Sequence, residues 1–191
     1  MNETLKLALV LFLITAISAA ILSVSNDITA PRIAEADALK DTKAKAEVLP
    51  EGKKFEPLEE SKLNEIKNSD ESVLEIFEAY DGENLVGYTI KTVVNGYGKG
   101  IEFMTGISTN GKITGIKILN HSETPGLGAN ATKPYFTESF RNRSVAEEIT
   151  ASKNPSGESE VQALTSATRT TDAILKGVNT AREIYNERLA D

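Results

Sequence analysis

Five hydroxyl side chains lie close together near the end of the chain, in residues 164–171, Leu-Thr-Ser-Ala-Thr-Arg-Thr-Thr. The run that follows, 172–188, carries apolar residues at helical spacing and predicts an amphipathic helix. The first N–H groups of a helix have no intrahelical partner, and the helix dipole favours an anion beside them. The segment therefore predicts a phosphate site, and a hydroxyl within it is also able to form an ester with that phosphate.

Helix capping is the competing interpretation of the same residues. Thr170 or Thr171 can cap the predicted helix, and Asp172 in the first turn suits the positive end of the dipole. Capping accounts for one or two of the hydroxyls rather than for five. On the chemistry of the residues alone, both interpretations stay open.

Composition excludes several other kinds of site. The chain of 191 residues has no cysteine and one histidine, His121. Disulfides, iron–sulfur ligation, thiol nucleophiles and a multi-histidine metal site within this chain are therefore excluded. The net charge of −7, without a dense Lys/Arg patch, argues against a nucleic-acid partner. A redox carrier of this composition needs an organic cofactor.

Two further segments have simpler interpretations. Residues 96–100, Gly-Tyr-Gly-Lys-Gly, lie between two predicted strands rather than between a strand and a helix, which excludes a dinucleotide-binding loop. They predict a flexible connection beside the site. His121 follows a predicted strand, where a hydrogen-bonding role is more common than a catalytic one.

The N-terminal segment predicts a membrane anchor. Residues 7–24 form an uncharged apolar run of 18 residues, about the shortest length that spans a bilayer core. Lys6 before the run and Asp27 after it predict a cytoplasmic N-terminus in the inner (plasma) membrane, with the main domain outside. Small residues at 18–20 also fit a cleaved signal peptide. The apolar run continues through Val24, which favours a retained single-pass anchor in contact with membrane lipid.

The rest of the chain predicts an α+β fold, with an antiparallel sheet packed against helices. Pro31 indicates a juxtamembrane turn at 26–32, and residues 34–48 are typical of an exposed helix. Asn110-Gly111 predicts a type I′ hairpin turn. Strands are expected at 73–79, 85–94, 101–107, 113–119 and 158–163, and helices at 135–149 and 172–188. The sequence therefore predicts three parts: a cytoplasmic tip with the transmembrane helix (1–25), a juxtamembrane helical segment (26–70) and the main domain (71–191).

The segment 162–168, Gln-Ala-Leu-Thr-Ser-Ala-Thr, resembles the flavin-attachment motif of the FMN-binding domain family, Asp-x-x-Ser/Thr-Gly-Ala-Thr. In that family the threonine after the alanine carries FMN through a phosphoester bond, and it aligns with Thr168. Gln162 replaces the Asp, which the flavin transferase recognises, and Ser166 replaces the Gly. Residues 121–128 match a second family segment, His-x-Glu-Thr-Pro-Gly-Leu-Gly. Covalent and non-covalent binding of FMN both remain open.

This resemblance implies an FMN site built from two segments. The helix N-terminus and Arg169 would stabilise the phosphate, while the loop 123–128 would contact the isoalloxazine ring. No catalytic residue and no metal ligand is implied. The implied cofactor-binding residues are Leu164, Thr165, Ser166, Ala167, Thr168, Thr170 and Thr171 in the turn, and Glu123, Thr124, Leu127 and Gly128 in the loop.

Over nearly its whole length the chain is similar to the family of G subunits of Rnf-type ion-translocating ferredoxin:NAD oxidoreductase complexes. The resemblance implies a membrane-anchored electron-transfer subunit, with the other subunits of the complex and a flavin transferase as partners. The related C subunits of sodium-pumping NADH:quinone oxidoreductases are the nearest alternative. A membrane-anchored binding module without flavin and a flavin-dependent reductase of a small molecule are alternatives from other classes.

Overall fold

The structure, a computed structural model, describes residues 2–190 and divides into two compact units between Asp41 and Thr42. The first unit consists of most of one long helix, α1 (Glu3–Val48). An uncharged stretch of this helix is long and apolar enough to cross a membrane, and its large side chains lie exposed.

The predicted turn at 26–32 is wrong, because α1 continues through Pro31. Proline removes one hydrogen bond from a helix interior, but a long helix is able to continue through it. The helix is favoured by the residue types further from the proline, because residues 5–22 are rich in Leu and Ala and residues 33–48 are rich in Ala, Lys and Glu.

The second unit is built on a five-stranded antiparallel sheet in the order β1-β2-β3-β4-β5. The four predicted strands of the meander are confirmed as β2 to β5, whereas β1 and the short helix α2 lie in a region without a strand prediction. The elements are β1 (Lys54–Pro57), α2 (Glu60–Ser69), β2 (Val73–Asp81), β3 (Asn84–Val94), β4 (Ile101–Ser108) and β5 (Lys112–Asn120).

The hairpin between β4 and β5 is confirmed, but its turn type is not I′. Ser108 pairs with Lys112, so three residues form the connection. Gly111 has a φ of 67°, while Asn110 is not among the described non-glycine residues with positive φ. A type I turn followed by a left-handed glycine gives this three-residue loop.

The segment after β5 is less regular than the sequence predicts. A helix at 135–149 is wrong beyond Phe140, because Asn142 adopts a φ of 62° and Ser144 forms a bridge with Lys112. The predicted strand at 158–163 is confirmed as the shorter β7, which pairs in parallel with β6. The elements are a 3-10 turn (Gly128–Thr132), α3 (Pro134–Thr137), a second 3-10 turn (Glu138–Phe140), β6 (Thr150–Ser152) and β7 (Glu160–Gln162).

The final helix, α4, spans Thr168–Ile184 and continues into a π-helical turn, Tyr185–Leu189. Its buried side chains pack against β3 and β4 on one face of the sheet. Contact is close at Gly177, where an added Cβ would lie 2.7 Å from the Phe103 ring. A second buried cluster joins the end of α1 to the sheet: Ala44 and Val48 of α1 and the following Leu49 pack with Ala79 of β2 and Met104 of β4.

Candidate functional site

Helix α4 begins four residues earlier than the sequence predicts, and this changes the role of the hydroxyl turn. Thr168 is the first helical residue and Ala167 occupies the N-cap position, where no side chain caps the helix. The prediction that Thr170 or Thr171 caps the helix is therefore wrong. The first N–H groups of α4 are left without a capping side chain, as an anion site requires.

Thr171 and Leu164 hold the shape of the turn. The Thr171 hydroxyl accepts a hydrogen bond from the Leu164 N–H and donates to the Ala167 carbonyl, both at 3.1 Å. Both residues are buried, Leu164 within the main core. Leu164 and Thr171 therefore lie on the buried side of the turn, towards the core, and not on the side that lines the cavity.

Ser166 lies at the bend of the turn with a φ of 59°. This left-handed backbone is the conformation that glycine adopts without strain. Ser166 follows the exposed Thr165 and precedes the buried Ala167. The turn thus has the conformation that explains a glycine in the related motif.

A cavity of about 420 Å³ brings the turn and the loop after β5 together. Eight of the eleven predicted cofactor-binding residues line it, whereas Leu164, Thr165 and Thr171 do not. Tyr97 and Arg169 complete the lining, and Tyr97 comes from the glycine-rich connection between β3 and β4. The full lining is Tyr97, Glu123, Thr124, Leu127, Gly128, Ser166, Ala167, Thr168, Arg169 and Thr170.

Thr168 combines the properties that a modified hydroxyl needs. It lies at the start of α4, lines the cavity and is exposed. Within residues 2–190 its hydroxyl has no hydrogen-bond partner. The neighbouring Thr170, by contrast, is 1% exposed and its hydroxyl is already bonded to Glu123. Of the cavity-lining threonines on the turn, Thr168 is the accessible one.

Glu123 connects the three segments around the cavity. Its Oε1 accepts a hydrogen bond from the Gly98 N–H at 2.9 Å, and its Oε2 accepts one from the Thr170 hydroxyl at 2.6 Å. Its own N–H donates to His121 Nδ1 at 3.2 Å. This bond gives His121 the hydrogen-bonding role that the sequence predicts. The Glu123 residue is only 6% exposed.

Glycines make room for the Glu123 carboxylate. A Cβ at Gly96 would lie 2.6 Å from Oε1, and a Cβ at Gly128 would overlap Oε2 and lie 2.5 Å from the Thr170 hydroxyl. A Cβ at Gly98 would overlap the Ser122 carbonyl. The glycine-rich connection therefore has a packing role at the site, which its pattern in the sequence does not reveal.

The cavity fits FMN in size and in chemistry. Its volume lies in the usual range for small-molecule sites, and a flavin ring needs the apolar surface that Tyr97, Leu127 and Ala167 provide. The uncapped start of α4 offers free N–H groups, and Arg169 is the one cation of the described lining, so this end of the cavity suits a phosphate.

A second cleft, of about 520 Å³, lies along α4 but has the wrong charge for a phosphate. It is lined by Asp70, Glu148, Asp172 and Glu183, with Lys176 as its one cation. Burial raises the pKa of Asp70, but hydrogen bonds from Ser72 and Thr180 outweigh burial and leave that pKa below its usual value. Four carboxylates repel an anion.

Comparison with known proteins agrees with this site. Residues 96–183 match the model of the FMN-binding domain, a range that contains every residue of the cavity lining. FMN is therefore the cofactor of this domain. The fold is shared with the C subunit of a Na(+)-translocating NADH-quinone reductase from Parabacteroides distasonis, at 20% identity and a TM-score of 0.52, over 66% of this chain and 67% of that one.

Sequence relatives cover almost the full length. The chain is 37% identical, over 94% of its length and 90% of the relative, to the G subunit of the Na(+)-translocating ferredoxin:NAD(+) oxidoreductase complex of Acetobacterium woodii. It is 30% identical, over 94% and 93%, to the G subunit of an ion-translocating oxidoreductase complex of Methanosarcina acetivorans. Taken with the apolar N-terminal helix, this indicates a single-pass protein anchored in the membrane. The chain belongs to the family of G subunits of ion-translocating oxidoreductase complexes.

Proposed function

We propose that this chain is the FMN-bearing electron-transfer subunit of an Rnf-type ferredoxin:NAD(+) oxidoreductase complex, with FMN joined to Thr168. Its sequence relatives are subunits of ion-translocating oxidoreductase complexes. The observation that carries the site is the exposed Thr168 hydroxyl, which lies in the FMN-sized cavity at an uncapped helix start. The other subunits of the complex are the electron donor and acceptor.

The attachment is a phosphodiester. A flavin transferase joins the Thr168 oxygen to the phosphorus of an activated flavin nucleotide, and the hydroxyl proton leaves with the displaced group. The product keeps one negative charge, which the first N–H groups of α4 and the Arg169 guanidinium stabilise. Attachment prevents loss of the cofactor from a domain that faces outside.

Bound FMN supplies one- and two-electron chemistry, and the chain's residues hold it. Leu127 and Tyr97 exclude water from the ring, and hydrogen-bonding groups of the loop 123–128 tune its electronics. Electron transfer of this kind needs no catalytic base.

Intact mass of the full-length protein, produced with a flavin transferase, tests the proposal. The expected mass exceeds that of the chain by one FMN less one water, and the band fluoresces on a denaturing gel. Thr168→Ala should lose both signals, whereas Thr168→Ser should keep them. Thr165→Ala is the matched control, because Thr165 is an exposed hydroxyl of the same turn outside the cavity lining.

Each other outcome has a definite meaning. Flavin that is released on denaturation would support the FMN site and contradict the covalent bond. A colourless protein, even when expressed with its partner subunits, would favour a binding module without flavin. The same mass spectrum reports the N-terminus, and a chain that begins near Ile21 would contradict the retained anchor.

A further inference from the structure

Glu123 is a buried carboxylate that electron transfer does not require. It touches the connection between β3 and β4 through Gly98 and the start of α4 through Thr170, while it belongs to the loop after β5. Both of its oxygens accept hydrogen bonds, which is the pattern of an ionised carboxylate. Both donors are neutral groups, so neither cancels its charge.

The carboxylate also lines the same cavity as Thr168. Its surroundings allow it little movement, because Gly96 and Gly128 lie against its two oxygens. A charge that is fixed and buried is screened much less than one at the surface. Its field therefore acts on any group that the cavity holds.

We infer that Glu123 is a positioning residue that locks the three segments of the FMN site and, through its negative charge, lowers the reduction potential of the bound flavin. This inference rests on the FMN site proposed above. Two-electron reduction of the ring with uptake of one proton adds one negative charge to it. A neighbouring carboxylate repels that charge and so favours the oxidised form.

The substitution Glu123→Gln removes the negative charge of the side chain and keeps its size and shape. The Gln carbonyl accepts from the Gly98 N–H, and its amide donates to the Thr170 hydroxyl, which is able to accept. Packing and both hydrogen bonds are thereby kept while the charge is removed. A purely structural role of Glu123 predicts an unchanged potential in this variant.

The test is a spectroelectrochemical titration of the full-length, FMN-loaded protein with dithionite as the electron donor. Glu123→Gln should shift the midpoint potential in the positive direction, with the reduced flavin favoured about tenfold, which is about 30 mV for a two-electron couple. Glu160→Gln is the matched control. Its carboxylate also accepts two hydrogen bonds, from the backbone N–H groups of Ser156 and Gly157, but it lies outside the cavity lining.

A second variant covers the case in which Glu123→Gln does not fold. Thr170→Val removes one donor to the carboxylate and keeps the charge, so the potential should shift in the negative direction. An unchanged potential in a folded Glu123→Gln protein, or a positive shift in Thr170→Val, would overturn the inference. Wild-type protein without bound flavin would instead contradict the proposed function.

Discussion

Ser166 shows how a single backbone angle constrains the site. Its φ of 59° lies in the left-handed region, where a side chain clashes with the following carbonyl. The bend that this angle makes leads directly into Ala167 and Thr168 at the start of α4. A serine here keeps the bend at an energetic cost that a glycine would not have.

Ser166→Gly should therefore stabilise the protein, by about 0.5–1 kcal/mol, because relief of the left-handed strain outweighs the greater chain entropy of glycine. Denaturant unfolding of the full-length protein in detergent measures the change. Thr165→Gly is the matched control and should destabilise, since Thr165 is not among the described residues with positive φ. Equal effects of the two substitutions would show that strain at Ser166 is not the cause.

Much of the site could be predicted from the sequence, because its residues belong to two short contiguous segments. Thr168 and the loop 123–128 are each recognisable from local pattern. The role of Gly98 could not be predicted in this way. Its contact with Glu123 spans 25 residues and depends on the register of β3, β4 and β5.

The contact between α1 and the sheet depends on a pair of glycines. Gly106 on β4 pairs with Gly115 on β5, and both lie against Val48 at the end of the helix. The Thr114 hydroxyl donates a hydrogen bond to the Val48 carbonyl at the same place. Without side chains at these two positions, the helix end approaches the backbone of the sheet.

The two glycines are predicted to respond differently to the same substitution. A Cβ at Gly106 would overlap the Val48 carbonyl, whereas a Cβ at Gly115 would lie at an ordinary 3.5 Å from Val48. Gly106→Ala should destabilise by about 1–3 kcal/mol through overpacking. Gly115→Ala should change stability by less than about 1 kcal/mol, since reduced chain entropy favours alanine. Denaturant midpoints of the two variants make the comparison, and equal losses would contradict this packing.

Elements with a strong local pattern could be predicted, and those held by distant partners could not. Strands β2 to β5 alternate or carry β-branched residues, and a glycine turn joins β4 to β5. Strand β1, by contrast, has four residues and depends on pairing with β2. The predicted start of α4 is too late because three of the four residues 168–171 are threonines, which have low helix propensity. The Thr171 hydroxyl, which bonds to Leu164 and Ala167, and the Thr170 hydroxyl, which bonds to the distant Glu123, hold these residues in the observed first turn.

At the scale of the whole molecule, the membrane anchor determines where the flavin is able to exchange electrons. A chain held in the membrane keeps its cofactor at high effective concentration relative to partners in the same membrane. The sequence relatives are subunits of ion-translocating complexes, whose other subunits are the partners proposed for this chain. The side of the membrane on which the domain lies therefore decides which partners it meets.

The charges around α1 predict that side. Lys6 precedes the apolar stretch and Asp27 follows it, so we expect residue 2 inside and the second unit outside the cytoplasmic membrane. Because the chain has no cysteine, Asn2→Cys and Asn154→Cys each introduce a unique thiol, and both positions are exposed. A membrane-impermeant maleimide should label Asn154→Cys in cells with an intact cytoplasmic membrane and Asn2→Cys only after that membrane is permeabilised. The reverse pattern would place the flavin domain in the cytoplasm and would exclude an extracytoplasmic site of electron transfer.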